Sequence, residues 1–337
     1  MIKEAIDKVT KKTDLTDLQT REVFDEIMSG KALPAQIRAF LEALRKKGEK
    51  ITEITAAAKV MRERSAHIDV GGDTLLDTCG TGGSGIDAFN ISTTAAFVVA
   101  GCGVRVAKHG NRSASQQCGS ADVLEALGIK IDISPESVAK CIHETGIGFM
   151  FAPVFHVAMK YAALPRKELG GKTIFNILGP LSNPAGATHQ VIGVYSPQLT
   201  EVMAGVLKNL GSKRAFVVYG MDGLDEITIT DDTKISELKD GRIDTYYIKP
   251  EDFGLSKGRL EDIKGGTRKE NSEMLLSVLK ASATPAQRDI VLANASAGLV
   301  CLGRSKNFKD GVKLAAESID SGRALDKMLK LIEMTNR

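Results

Sequence analysis

The hydrophobic period of this chain changes near residue 70, and no other feature limits the possible folds as much. Before that point Ile2, Ala5, Ile6 and Val9, then Val23, Ile27 and Met28, then Ile37, Phe40, Leu41 and Leu44 recur at helical spacing. Pro34 suits a first helical turn and Gly48 a helix stop. A further helix is expected from Thr52 to about Glu63, and no strand pattern appears before Asp69. From Gly71 onward, strands and helices alternate. Strands are expected at Thr74 to Thr78, Val104 to Ala107, Lys130 to Ile133, Gly148 to Phe151, Gln190 to Tyr195 and Ala215 to Tyr219. Between them lie helices at Thr93 to Ala100, opened by hydroxyl caps, at Ser120 to Leu127, from Ser134-Pro135 to Gly146, and from Ser196-Pro197 to Leu210. Asp240-Gly241 signals a hairpin, and helices return from about Glu270. The expected fold is α/β, with a small all-helical N-terminal domain and a larger domain built on a mostly parallel sheet covered on both faces. In such sheets ligands sit beyond the carboxyl ends of the strands.

A chain of 337 residues suits one large domain plus a smaller one. Its 43% hydrophobic and 26% charged residues supply ordinary core and surface material. A net charge of +3, from 45 basic and 42 acidic residues mixed along the chain, gives no footprint for nucleic acid. Trp is absent, which weakens any base-stacking platform. The 5 cysteines form no C-x-x-C pair, so neither a disulfide framework nor a zinc site is implied. No apolar run reaches membrane-spanning length and the N-terminus has no signal-peptide pattern, so a cytoplasmic location is expected.

Between Asp77 and Ser120 a glycine cluster, a hydroxyl and amide cluster and a cationic cluster each lie beside an expected strand or helix end. Three such devices in one short stretch point to a polyphosphate, because glycine backbones and helix N-termini can surround phosphate oxygens. Gly80-Thr81-Gly82-Gly83-Ser84-Gly85 has the spacing of a dinucleotide fingerprint. It lacks both the immediate helix and the later ribose-binding acid, and no Gly-Lys-Ser/Thr of a P-loop follows. Asn90, Ser92 and Thr93 suit phosphate oxygens or plain capping, and Lys108-His109-Gly110-Asn111-Arg112 suits an anion or a solvated turn. Asp225-Glu226, after a glycine-containing turn, suits Mg²⁺ or an exposed acidic turn. His156 and Arg166 flank an expected helix, HVAMKYAAL, and Arg166 could pair with a ligand carboxylate. No triad and no isolated reactive Cys suggests a covalent nucleophile, and Cys79 reads as strand-end packing.

DTCGTGGSG, FNISTTAAFV, KHGNR, CGSADVLEALG, RKELGGKTIFNILGPLSNPAG and GLDE, in this order and spacing, resemble the anthranilate phosphoribosyltransferase family of tryptophan biosynthesis across nearly the whole chain. The resemblance implies transfer of the phosphoribosyl group of 5-phosphoribosyl 1-diphosphate to the amino group of anthranilate, releasing pyrophosphate with Mg²⁺ present. It implies that Gly80, Thr81, Gly82, Gly83 and Ser84 hold the diphosphate, with Asn90, Ser92, Thr93, Lys108 and Ser120 on diphosphate, ribose or 5-phosphate. Ser92, Asp225 and Glu226 would be linked to the metal, and His109, Asn111, His156, Arg166 and Gly179 would line the path of anthranilate. A homodimer through the helical domain is also implied. That domain would span 1–70 and be completed near 165–180, with 71–164 and 181–337 forming the α/β domain. Ser84 stands where many relatives have Asp, Ala88 where Thr or Ser is common, and Val157 where Pro often follows the pocket histidine. Leu164-Pro165 shifts the Pro near Arg166. Pyrimidine nucleoside phosphorylases, which share the two-domain plan, and a non-catalytic phosphoribosyl diphosphate-binding module are the alternatives. GLDE and FNILGPLSNP favour the transferase.

Overall fold

The computed structural model describes residues 1–71, 74–113 and 117–337. Residues 114–116, inside the Asp77 to Ser120 stretch, therefore lie outside the described residues. The chain opens with α1 (Ile2–Thr10), α2 (Asp17–Met28), α3 (Pro34–Lys47) and α4 (Ile51–Glu63). Thr16 separates the first two: its Oγ accepts from the Gln19 N–H, and the Gln19 side chain accepts from the Thr16 N–H, a reciprocal cap that starts a new helix. Pro34 begins α3 and Gly48 ends it.

The α/β part then runs β1 (Leu76–Gly80), α5 (Ile91–Gly101), β2 (Val106–Gly110), α6 (Ser120–Ala126), α7 (Pro135–Thr145), β3 (Ile147–Phe151) and α8 (Ala152–Phe155). Two helices follow, α9 (Lys160–Leu169) and α10 (Ile174–Leu181), before β4 (His189–Gly193), α11 (Leu199–Asn209) and β5 (Arg214–Gly220). The hairpin β6 (Thr233–Lys239) and β7 (Arg242–Ile248) precedes the last four helices, α12 (Arg268–Leu279), α13 (Pro285–Cys301), α14 (Phe308–Asp320) and α15 (Arg323–Thr335). The sheet order is β3-β2-β1-β4-β5-β6-β7, parallel from β3 to β5 and antiparallel through the hairpin. Asp240-Gly241 is the hairpin turn, with Lys239 paired to Arg242.

Three expectations are corrected. β1 and β2 each extend about two residues later than their apolar patterns suggest, ending at Gly80 and Gly110. Lys108 and His109 are buried strand residues, and polar letters inside a buried strand read as loop. Residues 130–133 form no strand: Ile131 is buried in the core while the Lys130 N–H donates to Thr335 Oγ1 of α15. The helix at His156 is a single 3₁₀ turn at Val157–Met159 followed by α9, so Arg166 lies within a helix rather than beyond its end.

One apolar core lies under β1, β2 and the C-terminal helices, with the buried α5 running through it. A second joins α1–α4 and α10 to α11 and to the inner residues of β4 and β5. Phe24 meets Phe40 edge-on at 6.1 Å and Phe175 of α10 at 5.8 Å, so α10 is part of the helical unit's own packing. One buried charge organises that unit. Glu53, fully buried, accepts from the Leu15 N–H at 2.9 Å and the Lys50 N–H at 2.8 Å and pairs with Lys47 at 2.8 Å, while Lys47 also reaches Asp14. Glu53→Ala strands two N–H groups and a nearly buried ammonium, so a loss of about 3–5 kcal/mol is expected in urea unfolding. A loss below about 1 kcal/mol would show that water replaces the carboxylate at little cost.

Candidate active site

The parallel strands end together, and their ends carry the polar clusters. β1 finishes at Gly80 beside Gly193 of β4. The Thr81 N–H donates to the Gly193 carbonyl at 2.9 Å, and Thr81 Oγ1 accepts from the Tyr195 N–H at 3.1 Å, which ties the glycine loop to the end of β4. After β5 the chain turns tightly, with the Gly220 N–H bonded to the Leu224 carbonyl at 2.8 Å and Asp222 accepting from Thr228 and Thr230. This turn lays Asp225 across the end of β4. A Cβ on Gly193 would stand 1.6 Å from the Asp225 carbonyl oxygen, a place that only glycine can occupy. A Cβ on Gly80 would be 3.2 Å from Asp225 Oδ2.

The next residue reaches α5. Glu226 Oε1 accepts the Ser92 N–H at 3.1 Å, satisfying a donor of the first helical turn. Asn90 at the N-cap makes no side-chain cap bond, and the expected hydroxyl capping is corrected: the acid 134 residues away serves instead. The Ser92 hydroxyl is left facing Lys108 Nζ at 3.5 Å, and Lys108 also donates to the Thr78 carbonyl. Thr93 is buried in the same turn. Thus Gly80, Thr81, Ser92, Lys108, Asp225 and Glu226 form one contiguous cluster. Ser84 joins it: its Oγ is buried without a hydrogen-bond partner, yet lies near enough to Asp225 to counter the effect of burial on that carboxyl.

Asn90 sits beside the cluster, receiving the Asn271 Nδ2–H at 3.1 Å and donating to the Cys118 carbonyl at 3.4 Å. Asn271, on α12, also accepts from the Gly266 N–H at 2.7 Å, and no local pattern in the sequence marks it. Ser120 donates to the Asn111 carbonyl at 3.2 Å. The Asn111 side chain is exposed and accepts from the Arg112 N–H at 2.7 Å, so it turns back on its own loop. Arg112 pairs with Asp122 and Glu125, and Asp122 also holds Arg268 at 3.0 Å and the Gly119 N–H at 2.9 Å. These bonds brace the KHGNR loop against α6 and α12.

A second, less polar group lies next along β2. His109 and His156 are buried with ring centroids 5.0 Å apart. His109 Nδ1 lies 3.2 Å from the Gly179 carbonyl, which can only accept, so Nδ1 carries the proton and Nε2 is left as an unpartnered acceptor. Burial lowers His109 to about 3, with His156 adding to the effect, and burial lowers His156 to about 4. Both rings are neutral at pH 7. Gly179 faces open space, and Arg166 lies over the Phe175 ring at 5.2 Å.

Burial also raises both Asp225 and Glu226, with the Asp225 charge lifting Glu226 further, and lowers Lys108. Two adjacent acids that resist ionisation, with one buried cation in reach, call for added positive charge. The donor set is two carboxylates and a hydroxyl, and no cluster of three or more His, Cys, Asp or Glu occurs among the described residues. Hard oxygens in that number fit Mg²⁺, which takes the rest of its shell from phosphate and water. Burial holds the Cys79, Cys118, Cys141 and Cys301 thiols up, so none offers a thiolate.

Residues 3–65 match the helical bundle domain of the glycosyl transferase family, and residues 72–325 match its a/b domain. The anthranilate phosphoribosyltransferase of Geotalea daltonii is 53% identical, with 100% of both chains covered. The crystal structure of the Thermus thermophilus anthranilate phosphoribosyltransferase superposes with a TM-score of 0.94 at 41% identity, covering 99% of each chain. That of Saccharomyces cerevisiae, in complex with PRPP and Mg, gives 0.91 at 29% identity over 99% of this chain and 98% of that one. A glycine loop without a dinucleotide helix, a carboxylate pair at the same sheet edge and full-length similarity agree: this chain belongs to the anthranilate phosphoribosyltransferase family.

Proposed function

We infer that this chain joins anthranilate to 5-phosphoribosyl 1-diphosphate: the amino nitrogen forms a bond to ribose C1, the C1–O bond breaks with its electron pair leaving on pyrophosphate, and the nitrogen loses a proton. The observation that carries this reading is the meeting of the glycine loop, Lys108 with Ser92, and Asp225 with Glu226 at one edge of the sheet. An aromatic amine is largely neutral at pH 7, so the barrier lies in C1–O cleavage and no strong base is needed. Donors aimed at the departing diphosphate lower that barrier. Backbone N–H groups of Gly82 and Gly83, the Ser84, Ser92 and Thr93 hydroxyls, the Asn90 amide and Lys108 are the proposed donors, with Ser120 on the phosphoribosyl group. Ser92, Asp225 and Glu226 would hold Mg²⁺, which would supply positive charge to the diphosphate.

The acceptor's place is the neighbouring group. Neutral His109, with Nε2 bare, suits an arylamine better than a cation would, and His156 and Gly179 supply its apolar walls. Arg166 is the proposed partner of the anthranilate carboxylate and Asn111 lies at the approach. Holding both substrates together supplies much of the remaining acceleration. Helices α9 and α10, packed on the first four helices, support assigning 165–180 to the helical domain. Exposed Leu18 and Leu33 on that domain support it as the surface of a homodimer. No helix among the described residues is long and apolar enough to cross a membrane, which fits a cytoplasmic enzyme.

The test is loss of anthranilate fluorescence with phosphoribosyl diphosphate and Mg²⁺; absence of turnover together with phosphorolysis of uridine would reverse the reading. Arg166→Ala should raise the KM for anthranilate about tenfold and that for phosphoribosyl diphosphate little, and equal effects on both would remove the carboxylate role. Asp225→Asn with Glu226→Gln should cut turnover about a hundredfold and flatten the Mg²⁺ titration while the fold survives. An unaltered titration would sink the metal assignment. Below about pH 6.5 the unfolded chain binds protons that folded His109 and His156 refuse until about pH 3 and 4 respectively. Stability should therefore fall with decreasing pH, by up to about 1.4 kcal/mol per unit for each ring, and His156→Gln should reduce that slope in urea titrations between about pH 7.5 and 5.5. A slope identical to wild type would mean that His156 charges inside the fold.

A further inference from the structure

One lysine to which the sequence reading gave no role lies on the glycine loop. Lys172 follows Gly170-Gly171 in the connector between α9 and α10. Arg45 of α3 holds that connector, donating to the Gly170 carbonyl at 2.9 Å and the Lys172 carbonyl at 3.4 Å. The Lys172 side chain then crosses to the α/β part. Its Cε is 3.0 Å, and its Nζ 3.8 Å, from where a Cβ on Gly83 would stand, so the end of the stem lies directly against the loop backbone. Its Nζ sits 3.7 Å from the centre of the Tyr195 ring, and Tyr195 is the residue whose N–H is bonded to Thr81 of the same loop.

The ammonium is uncommitted. Among the described residues Lys172 makes no ion pair, and the charge that acts on it is Asp225. The other cations near the cluster are occupied: Lys108 donates to the Thr78 carbonyl, and Arg112 is paired with Asp122 and Glu125. A diphosphate carries several negative charges, more than one buried lysine and a loop of amides can match. Once Asp225 is engaged by a divalent cation, nothing named here competes for Lys172.

We propose that Lys172 is a further substrate-binding residue, whose ammonium, carried by the connector of the helical unit and steadied on Tyr195, is a countercharge for the diphosphate on the Gly80–Gly83 loop. The proposal rests on reading that loop as the diphosphate site. It makes diphosphate binding the event that draws the helical unit onto the sheet edge, because Arg45 fixes the connector to α3.

The experiment uses full-length enzyme with Lys172→Met, which keeps the stem on Gly83 and Tyr195 but removes the charge, and Lys172→Arg, which restores a charge. Calorimetric titration with magnesium pyrophosphate should show about tenfold weaker binding for Lys172→Met, with the KM for phosphoribosyl diphosphate rising by a similar factor. The KM for anthranilate should stay within about twofold, and Lys172→Arg should recover most of the affinity. Wild-type turnover of anthranilate with unchanged pyrophosphate binding by Lys172→Met overturns the lysine's role and leaves the proposed reaction standing. Equal rises in both KM values overturn it too, since they would mark Lys172 as a packing residue. A wild-type enzyme that neither binds pyrophosphate nor consumes anthranilate overturns both.

Discussion

The contact between the end of β4 and the turn after β5 governs the rest of the site. The Asp225 carbonyl presses on Gly193 more closely than any side chain would permit, and this places two carboxylates over the end of β1. From there Asp225 faces the glycine loop and Glu226 reaches the first turn of α5. A helix N-terminus would otherwise be the natural seat for a phosphate. Here an acid already occupies one of its donors, and a cation that ionises that acid would also draw the phosphate. The backbone approach thereby turns a general anion site into one suited to an anion bound together with a metal.

The same geometry explains why the site resists its own charges. Asp225 and Glu226 are pushed up and Lys108 is pushed down, all by burial first. Burying three ionisable groups is costly when their pairing is incomplete, and the orphaned Ser84 hydroxyl and bare His109 Nε2 add unmet hydrogen bonds. Such an arrangement is poorly solvated alone and well solvated by a ligand that brings both signs of charge. Preorganised groups of this kind do not have to reorient as charge develops on a leaving group.

Much of this was legible in the sequence because it is written locally. The period switch near residue 70, the turn residues Asp240-Gly241 and the Thr-Gly-Gly cluster each report short-range constraints, and each corresponds to an observed feature. Failures came where long-range contacts decide. Lys108 and His109 look like loop, yet a parallel neighbour buries them in a strand. Ser92 and Thr93 look like caps, yet Glu226 does that work from far along the chain. Asn271 carries no signal, since it acts through Asn90, and Lys172, though inside a family motif, draws no role from the letters because its reach depends on the path of a connector. Asn111 shows the converse: a motif residue whose side chain is spent on its own loop.

The packing of the helical unit limits how the site can close. α4 shares its core with α11 and with inner residues of β4 and β5, so the unit is bound to one face of the sheet rather than hung from linkers. Ile51 lies 3.0 Å from the Cβ position of Gly205, a close fit that a wide hinge opening would expose to water. Any relative movement of the two units is therefore limited to a small sliding of packed helices, with the larger backbone changes confined to connectors such as Gly170-Gly171. A short movement suffices where a long flexible side chain spans the remaining gap. Lys172 lies on that connector and already touches the glycine loop, so a modest shift of α3 and α9 would change the electrostatic field at that loop while leaving the shared core intact.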